Sequence, residues 1–145
     1  MKLNDLRGKR SLKRFTLIEV IVVIVIIALL ATIAAPNFMK WIKRAKITTA
    51  TAQIKALQQA VESYEFDNGS IPDANTGLSA LITNPGDSET WDGPYLKVKK
   101  LPLDPWGAEY IYAVPGEDGS KFSIKSLGSD KSEGGSGEAA DIISE

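Results

Sequence analysis

The chain has no cysteine and no histidine among its 145 residues. Without histidine it loses the commonest metal ligand and the side chain best suited to proton transfer near neutral pH. Without cysteine it has no thiolate nucleophile and no disulfide, so a small folded part must rest on its apolar core. No nucleophile–base pattern among the remaining residues replaces them, and no enzyme is expected. Charge is scarce in one place as well. From Phe15 to Ala35 the run FTLIEVIVVIVIIALLATIAA holds a single ionisable side chain, Glu19.

As a helix, those residues are about 30 Å long, the thickness of a bilayer's hydrocarbon core. Hydropathy alone is satisfied by a plain N-terminal anchor, but a plain anchor has no need of Glu19. A carboxylate in such a span costs about 2.5–3.5 kcal/mol at the centre and less near an end. A cationic partner is therefore expected, and with it assembly. The run exceeds the roughly 7–15 apolar residues of a cleavable secretory signal, and the helical pattern continues through Pro36 into NFMKWIKRAKI. The net charge of −1 hides a polarity. Residues 1–14 carry six basic groups and one acid, a net of +5, which leaves −6 for residues 15–145. A basic flank stays in the cytoplasm, so the acidic remainder is expected on the other side. That flank is short and lacks interleaved aromatics, so it does not read as a nucleic-acid site.

Beyond Pro36 the apolar residues thin to one stripe. Ala50, Ile54, Leu57, Val61 and Tyr64 recur at spacings that share a helical face, opposite Lys46, Gln53, Lys55, Gln59 and Glu62. One long helix is predicted from Phe15 to about Phe66, kinked or loosened at Pro36 and capped at Gly69. Lys40, Lys43, Arg44 and Lys46 follow the apolar run and read as an anchor facing lipid headgroups. A short helix over Thr76–Ile82 and two strands, Tyr110–Val114 and Lys121–Ser126, are expected, with a hairpin turn at Pro115–Gly119. The fold class is α+β, a long N-terminal helix packed on a small antiparallel sheet.

The stretch Arg14-Phe15-Thr16-Leu17-Ile18-Glu19, with a basic leader before it and the apolar helix and Pro36 after it, resembles the class III signal of type IV pilins and pseudopilins. The resemblance implies a type IV pilin-like fold and cleavage between Arg14 and Phe15 by a prepilin peptidase. It also implies methylation of the new N-terminus at Phe15. Most of that family has glycine before the cut, where this chain has Arg14. Glu19 would then pair with the freed amine at Phe15 of a neighbouring copy. The implied organisation is a cytoplasmic leader over residues 1–14, a membrane and assembly helix over 15–35, and a periplasmic domain over 36–145.

Further on, Gly93-Pro94-Tyr95-Leu96-Lys97, then Leu101-Pro102-Leu103-Asp104-Pro105-Trp106-Gly107, then Tyr110-Ile111-Tyr112 are similar to the major pseudopilins of type II secretion systems. Asp104, Pro105 and Gly107 suit positions i, i+1 and i+3 of a type I turn, with Trp106 packing inward. Near the C-terminus, Asp130 and Asp141 bracket the glycine-rich stretch Gly134-Gly135-Ser136-Gly137. By composition this is either a mobile acidic tail or a loop whose carboxylates and carbonyls can hold a hard cation. The resemblance implies the second. Calcium would be held by the Asp130 and Asp141 carboxylates and the Leu127 carbonyl, with Ser129 a weaker ligand. Lys131 occupies a place where glycine is common in that group.

The function so implied is mechanical. The chain would be the main subunit of a periplasmic pseudopilus, polymerising through its N-terminal helix into a helical fibre that drives folded proteins across the outer membrane. Its partners would be further copies, minor pseudopilins, the inner-membrane secretion platform, the peptidase and the membrane itself. Before assembly it would cross the bacterial inner membrane once. The alternative is a type IV pilin of a surface filament serving adhesion, motility or DNA uptake. The DPWG turn and the missing C-terminal cysteine pair count against it.

Overall fold

The computed structural model describes residues 15–144 except 87 and 118, without the side chains of residues 34–37. Its helical and extended segments run in the order α1 (Leu17–Asn68), a 3₁₀ helix (Gly77–Leu81), β1 (Ile111–Ala113), β2 (Ser123–Ser126), a second 3₁₀ helix (Gly137–Ala139) and β3 (Ile142–Ile143). The chain divides into two compact units, Met1–Met39 and Lys40–Glu145. The described part of the first is the opening stretch of α1.

In the second unit, the stripe read from the sequence is the buried face of α1. Ala50, Ile54, Leu57, Val61 and Tyr64 are buried, and Ala60 joins them. Full burial of such side chains is worth about 1.5–3 kcal/mol each, which fixes this face against the rest of the unit. The helix ends as expected. Gly69 takes φ +73° and donates its N–H to the Glu65 carbonyl at 2.8 Å, a left-handed cap that glycine adopts without a Cβ penalty. The expected short helix is present as 3₁₀ rather than α, and it buries Leu78, Ala80 and Leu81.

The sheet has three antiparallel strands in the order β1-β2-β3. The hairpin lies where turn chemistry placed it, with Gly116 and Ser120 paired through N–H to carbonyl at 3.0 Å. All four residues of the central strand β2 are buried. Lys125 is among them, and its ammonium bonds Glu117 at 2.6 Å and Glu133 at 3.3 Å. The strand β3 was not expected. It has two residues, too few to show an alternation, and it exists because the chain returns to β2 with Ser126 opposite Ile142.

Two tyrosines tie the sheet to the rest of the unit. Tyr110 donates its hydroxyl to Gln53, and Tyr112 donates to the Pro72 carbonyl at 2.9 Å. Gln53 is therefore a half-buried partner of the sheet, not a residue of the solvent face to which helical spacing assigns it. Burial, with a smaller contribution from Asp104, pushes the Tyr110 phenol up to about 12. Burial, with Asp73 and Glu65 adding to it, does the same for Tyr112. A phenol whose pKa is raised by folding adds stability that is intact below pH 10 and lost as pH climbs towards 12. The expected loss is about 1.4 kcal/mol per pH unit for each phenol. The fold should therefore unfold in alkali, with stability from urea melts falling steeply between pH 10 and 12. Tyr112→Phe should flatten that fall by its own share, about 1.4 kcal/mol per pH unit, and an unchanged slope would contradict the assignment.

Candidate functional site

Two places carry chemistry, one in each unit. In the first unit, every large apolar side chain from Phe15 to Ile33 is exposed, from 45% at Val20 to 79% at Leu17. A face this apolar is an interaction surface rather than a solvated one. Taken as straight segments, no single described helix is long and apolar enough to cross a membrane. Leu17–Ile33 together with Phe38–Asn68 meets that length and apolarity.

Glu19 lies in the first turn of α1. The Thr16 carbonyl accepts from Val20, and the Thr16 hydroxyl accepts the Glu19 N–H, both at 3.3 Å. Thr16 is thus the N-cap and Glu19 the third helical residue, the spacing of a capping box. The sequence pattern Thr-Leu-Ile-Glu ahead of an apolar run could have revealed this second role. Phe15 is 78% exposed at the helix entrance. Arg14 and the rest of residues 1–14 lie outside the described residues, as does the side chain of Pro36.

In the second unit, the turn at Asp104 and the C-terminal loop form one hydrogen-bonded assembly. Asp104 is buried, and its Oδ1 accepts from the N–H groups of Trp106 at 3.0 Å and Ala108 at 2.8 Å. Gly107 donates to the Asp104 carbonyl at 2.9 Å, which places both residues as expected for the turn. The other carboxylate oxygen accepts the Ser126 hydroxyl at 2.6 Å, and the Ser126 oxygen in turn accepts the Gly128 N–H at 3.3 Å. The end of β2 is thereby tied to the turn.

Trp106 corrects the expectation of an inward-packed residue. It is half-buried, and its indole N–H reaches the loop at Glu138, 3.2 Å away. Lys43 meets the same carboxylate at 3.4 Å. The indole N–H first, and Lys43 after it, hold the Glu138 carboxyl below the usual carboxylate range. Lys43 therefore meets the loop at Glu138. No local pattern in the sequence marks Glu138, whose partners are 32 and 95 positions away.

The proposed cation ligands sit on this loop in unequal settings. Pairing of Ser126 with Ile142 puts Leu127 and Asp141 side by side at the neck. Ser129 closes the neck further, donating its N–H to the Glu138 carbonyl at 2.9 Å. Asp141 reaches across the loop, where its Oδ2 accepts the Gly134 N–H at 3.1 Å. Among the described residues its Oδ1 is buried with no hydrogen-bond partner. Asp130 is exposed, with its Oδ1 bonded to the Ser132 N–H at 3.1 Å. Among the described residues no three acidic side chains gather as metal ligands, so a cation here would need backbone carbonyls. These are close at hand. A Cβ on Gly128 would stand 2.7 Å from the Glu138 carbonyl oxygen and 2.9 Å from that of Ala140. Lys131, at φ +56°, holds a left-handed conformation that glycine adopts more readily.

Residues 37–145 match the family model for type II secretion system protein G. The chain belongs to the type II secretion system protein G family. The type II secretion system core protein G of Pseudomonas aeruginosa is 44% identical over 139 residues, covering 92% of this chain and 95% of the relative. Its counterpart in Vibrio cholerae is 39% identical over 140 residues, covering 94% of each chain. Among solved structures, the major pseudopilin of the type 2 secretion system of enterohaemorrhagic Escherichia coli superposes with a TM-score of 0.58 at 29% identity. That match covers 74% of this chain and 93% of the pseudopilin. The long N-terminal helix and small antiparallel sheet are therefore a major-pseudopilin fold, and the family is one of structural subunits.

Proposed function

We propose that the chain is the main subunit of a periplasmic pseudopilus and acts by polymerising, not by catalysis. Residues 15–35 hold it in the bacterial inner membrane, with residues 1–14 cytoplasmic and residues 36–145 in the periplasm. Prepilin peptidase cuts between Arg14 and Phe15, and Phe15 is methylated on its new amine. The observation that carries this reading is the exposed apolar opening of α1, with one carboxylate a turn inside its entrance. In a helical fibre those apolar faces cover one another. Close approach is favoured by small residues such as Ala28 and Ala31. Glu19 meets the Phe15 amine of the next copy, which turns an isolated charge into a pair. Minor pseudopilins and the inner-membrane platform are the expected further partners.

Calcium belongs to the same proposal. Asp141, Asp130 and the Leu127 carbonyl would hold it, with Ser129 a further candidate. The unpartnered Asp141 Oδ1 is the feature that fits a cation. When bound, the ion would neutralise the two aspartates and lock the loop, a structural role.

The location of the fibre tests the reading. Antibody against this chain should label fibres confined to the periplasm of intact cells, and export of folded substrates should stop when the chain is deleted. Surface filaments on wild-type cells with normal export would contradict it.

A further inference from the structure

Two surfaces of the Lys40–Glu145 unit remain unused by the readings above. The first is Phe66, which is 89% exposed and the most exposed large apolar side chain among the described residues. It shares a shallow depression with Glu62, Asp67 and Asp92, so an apolar ring stands in an acidic setting. The second is a groove of about 280 Å³ between the Gly77–Leu81 helix and the segment leading to the Asp104 turn. Leu57, Leu78 and Tyr110 line its base, and Leu101, Pro102 and Leu103 its outer wall. Leu101 and Leu103 are 36% and 52% exposed. The adjoining rim carries Lys99 and Lys100, with one acid, Glu109.

The two surfaces complement each other in charge and in apolar character. A ring among acids faces an apolar slot with a basic rim. They cannot meet within one molecule, because Leu57 and Phe66 are nine residues apart on α1. That is about two and a half turns, which puts them on opposite sides of the helix. A ring on one side and its slot on the other make a head-to-tail contact, and such contacts propagate into open filaments wherever the rotation between copies does not close a ring.

We propose that Phe66 of one copy seats in the Leu101–Leu103 groove of the next, a joint between folded domains separate from the apolar helix core. The inference rests on the fibre reading given above and adds a specific contact to it. The ring excludes water from the slot while Glu62 and Asp67 approach Lys99 and Lys100, so the acidic and basic surfaces set the direction of stacking.

The absence of cysteine makes the test clean. The full chain carrying both Ser63→Cys, beside Phe66, and Ser79→Cys, on the groove, is assembled in cells with its secretion machinery. The fibres are then treated with a short bis-maleimide. A ladder of dimers, trimers and longer products is expected. Each single substitution, and Ser79→Cys combined with Ser132→Cys, should leave monomers. Phe66→Asp should lower fibre yield at least tenfold, while Phe66→Leu should restore most of it. Normal fibres with no ladder, or an equal ladder from the Ser132 control, would overturn this joint and leave the fibre reading intact. Failure of the unmodified chain to form any fibre would overturn both.

Discussion

Replacing Glu19 with valine is expected to leave the chain in the membrane and abolish fibre formation and export. Valine makes the Phe15–Ala35 run wholly apolar, so membrane insertion becomes easier, not harder. What is lost is the partner of the Phe15 amine. Removing one member of a buried ion pair costs about 3–5 kcal/mol, because the other charge stays buried and unpaired. At about 1.4 kcal/mol per tenfold, each joint weakens by roughly a hundredfold to a few thousandfold, and the same joint repeats along the fibre. The structure adds an alternative that must be separated from this one, since Thr16 caps α1 through the Glu19 N–H. Glu19→Gln keeps a side chain that a capping box accepts and removes the charge. Fibre yield by sedimentation should therefore fall for Gln nearly as far as for Val. Wild-type yield from the Gln variant would assign Glu19 to helix capping alone.

The second large effect is expected from calcium. Among the described residues the buried Asp141 Oδ1 has no partner, and the Asp141 Oδ2 is bonded to a backbone N–H. A cation there relieves an unsatisfied anion and pins Asp130 to the loop neck. Ligand at a hundredfold over its dissociation constant stabilises the fold by about 2.7 kcal/mol, a rise on the order of 10 °C in melting temperature for a domain of this size. Melting of the full chain in detergent should show that rise with millimolar calcium and its reversal with chelator. Asp141→Ala should abolish the response, and Lys125→Met, outside the ligand set, should keep it. No change in the midpoint of the unmodified chain would remove calcium from the proposal.

The elements legible in the sequence are those whose cause is local. The stripe from Ala50 to Tyr64 repeats with helical period, and the turn residues between β1 and β2 announce a hairpin. The cap at Gly69 needs only a glycine where the stripe ends. What escaped depends on partners far apart in the chain. Strand β3 is held by its register with β2, and two isoleucines have no period. Gln53 reads as solvent-facing until Tyr110 folds across it. Trp106 reads as core, yet its N–H makes it a tie to Glu138, and Lys43 arrives at the same carboxylate from α1. The candidate cation loop was legible in its aspartates and glycines. The unequal settings of Asp130 and Asp141 follow from the loop's closure on the sheet, which no spacing encodes.

The charge pair proposed to join neighbouring copies requires an amine at Phe15, and Arg14 precedes the cut that would create it. Intact-mass and fragment analysis of the chain recovered from assembled fibres tests this directly. The expected result is a chain that begins at Phe15 and carries one methyl group on its N-terminal nitrogen. Fibres built from chains that still retain residues 1–14 would contradict it, because Glu19 would then have no terminal amine to meet.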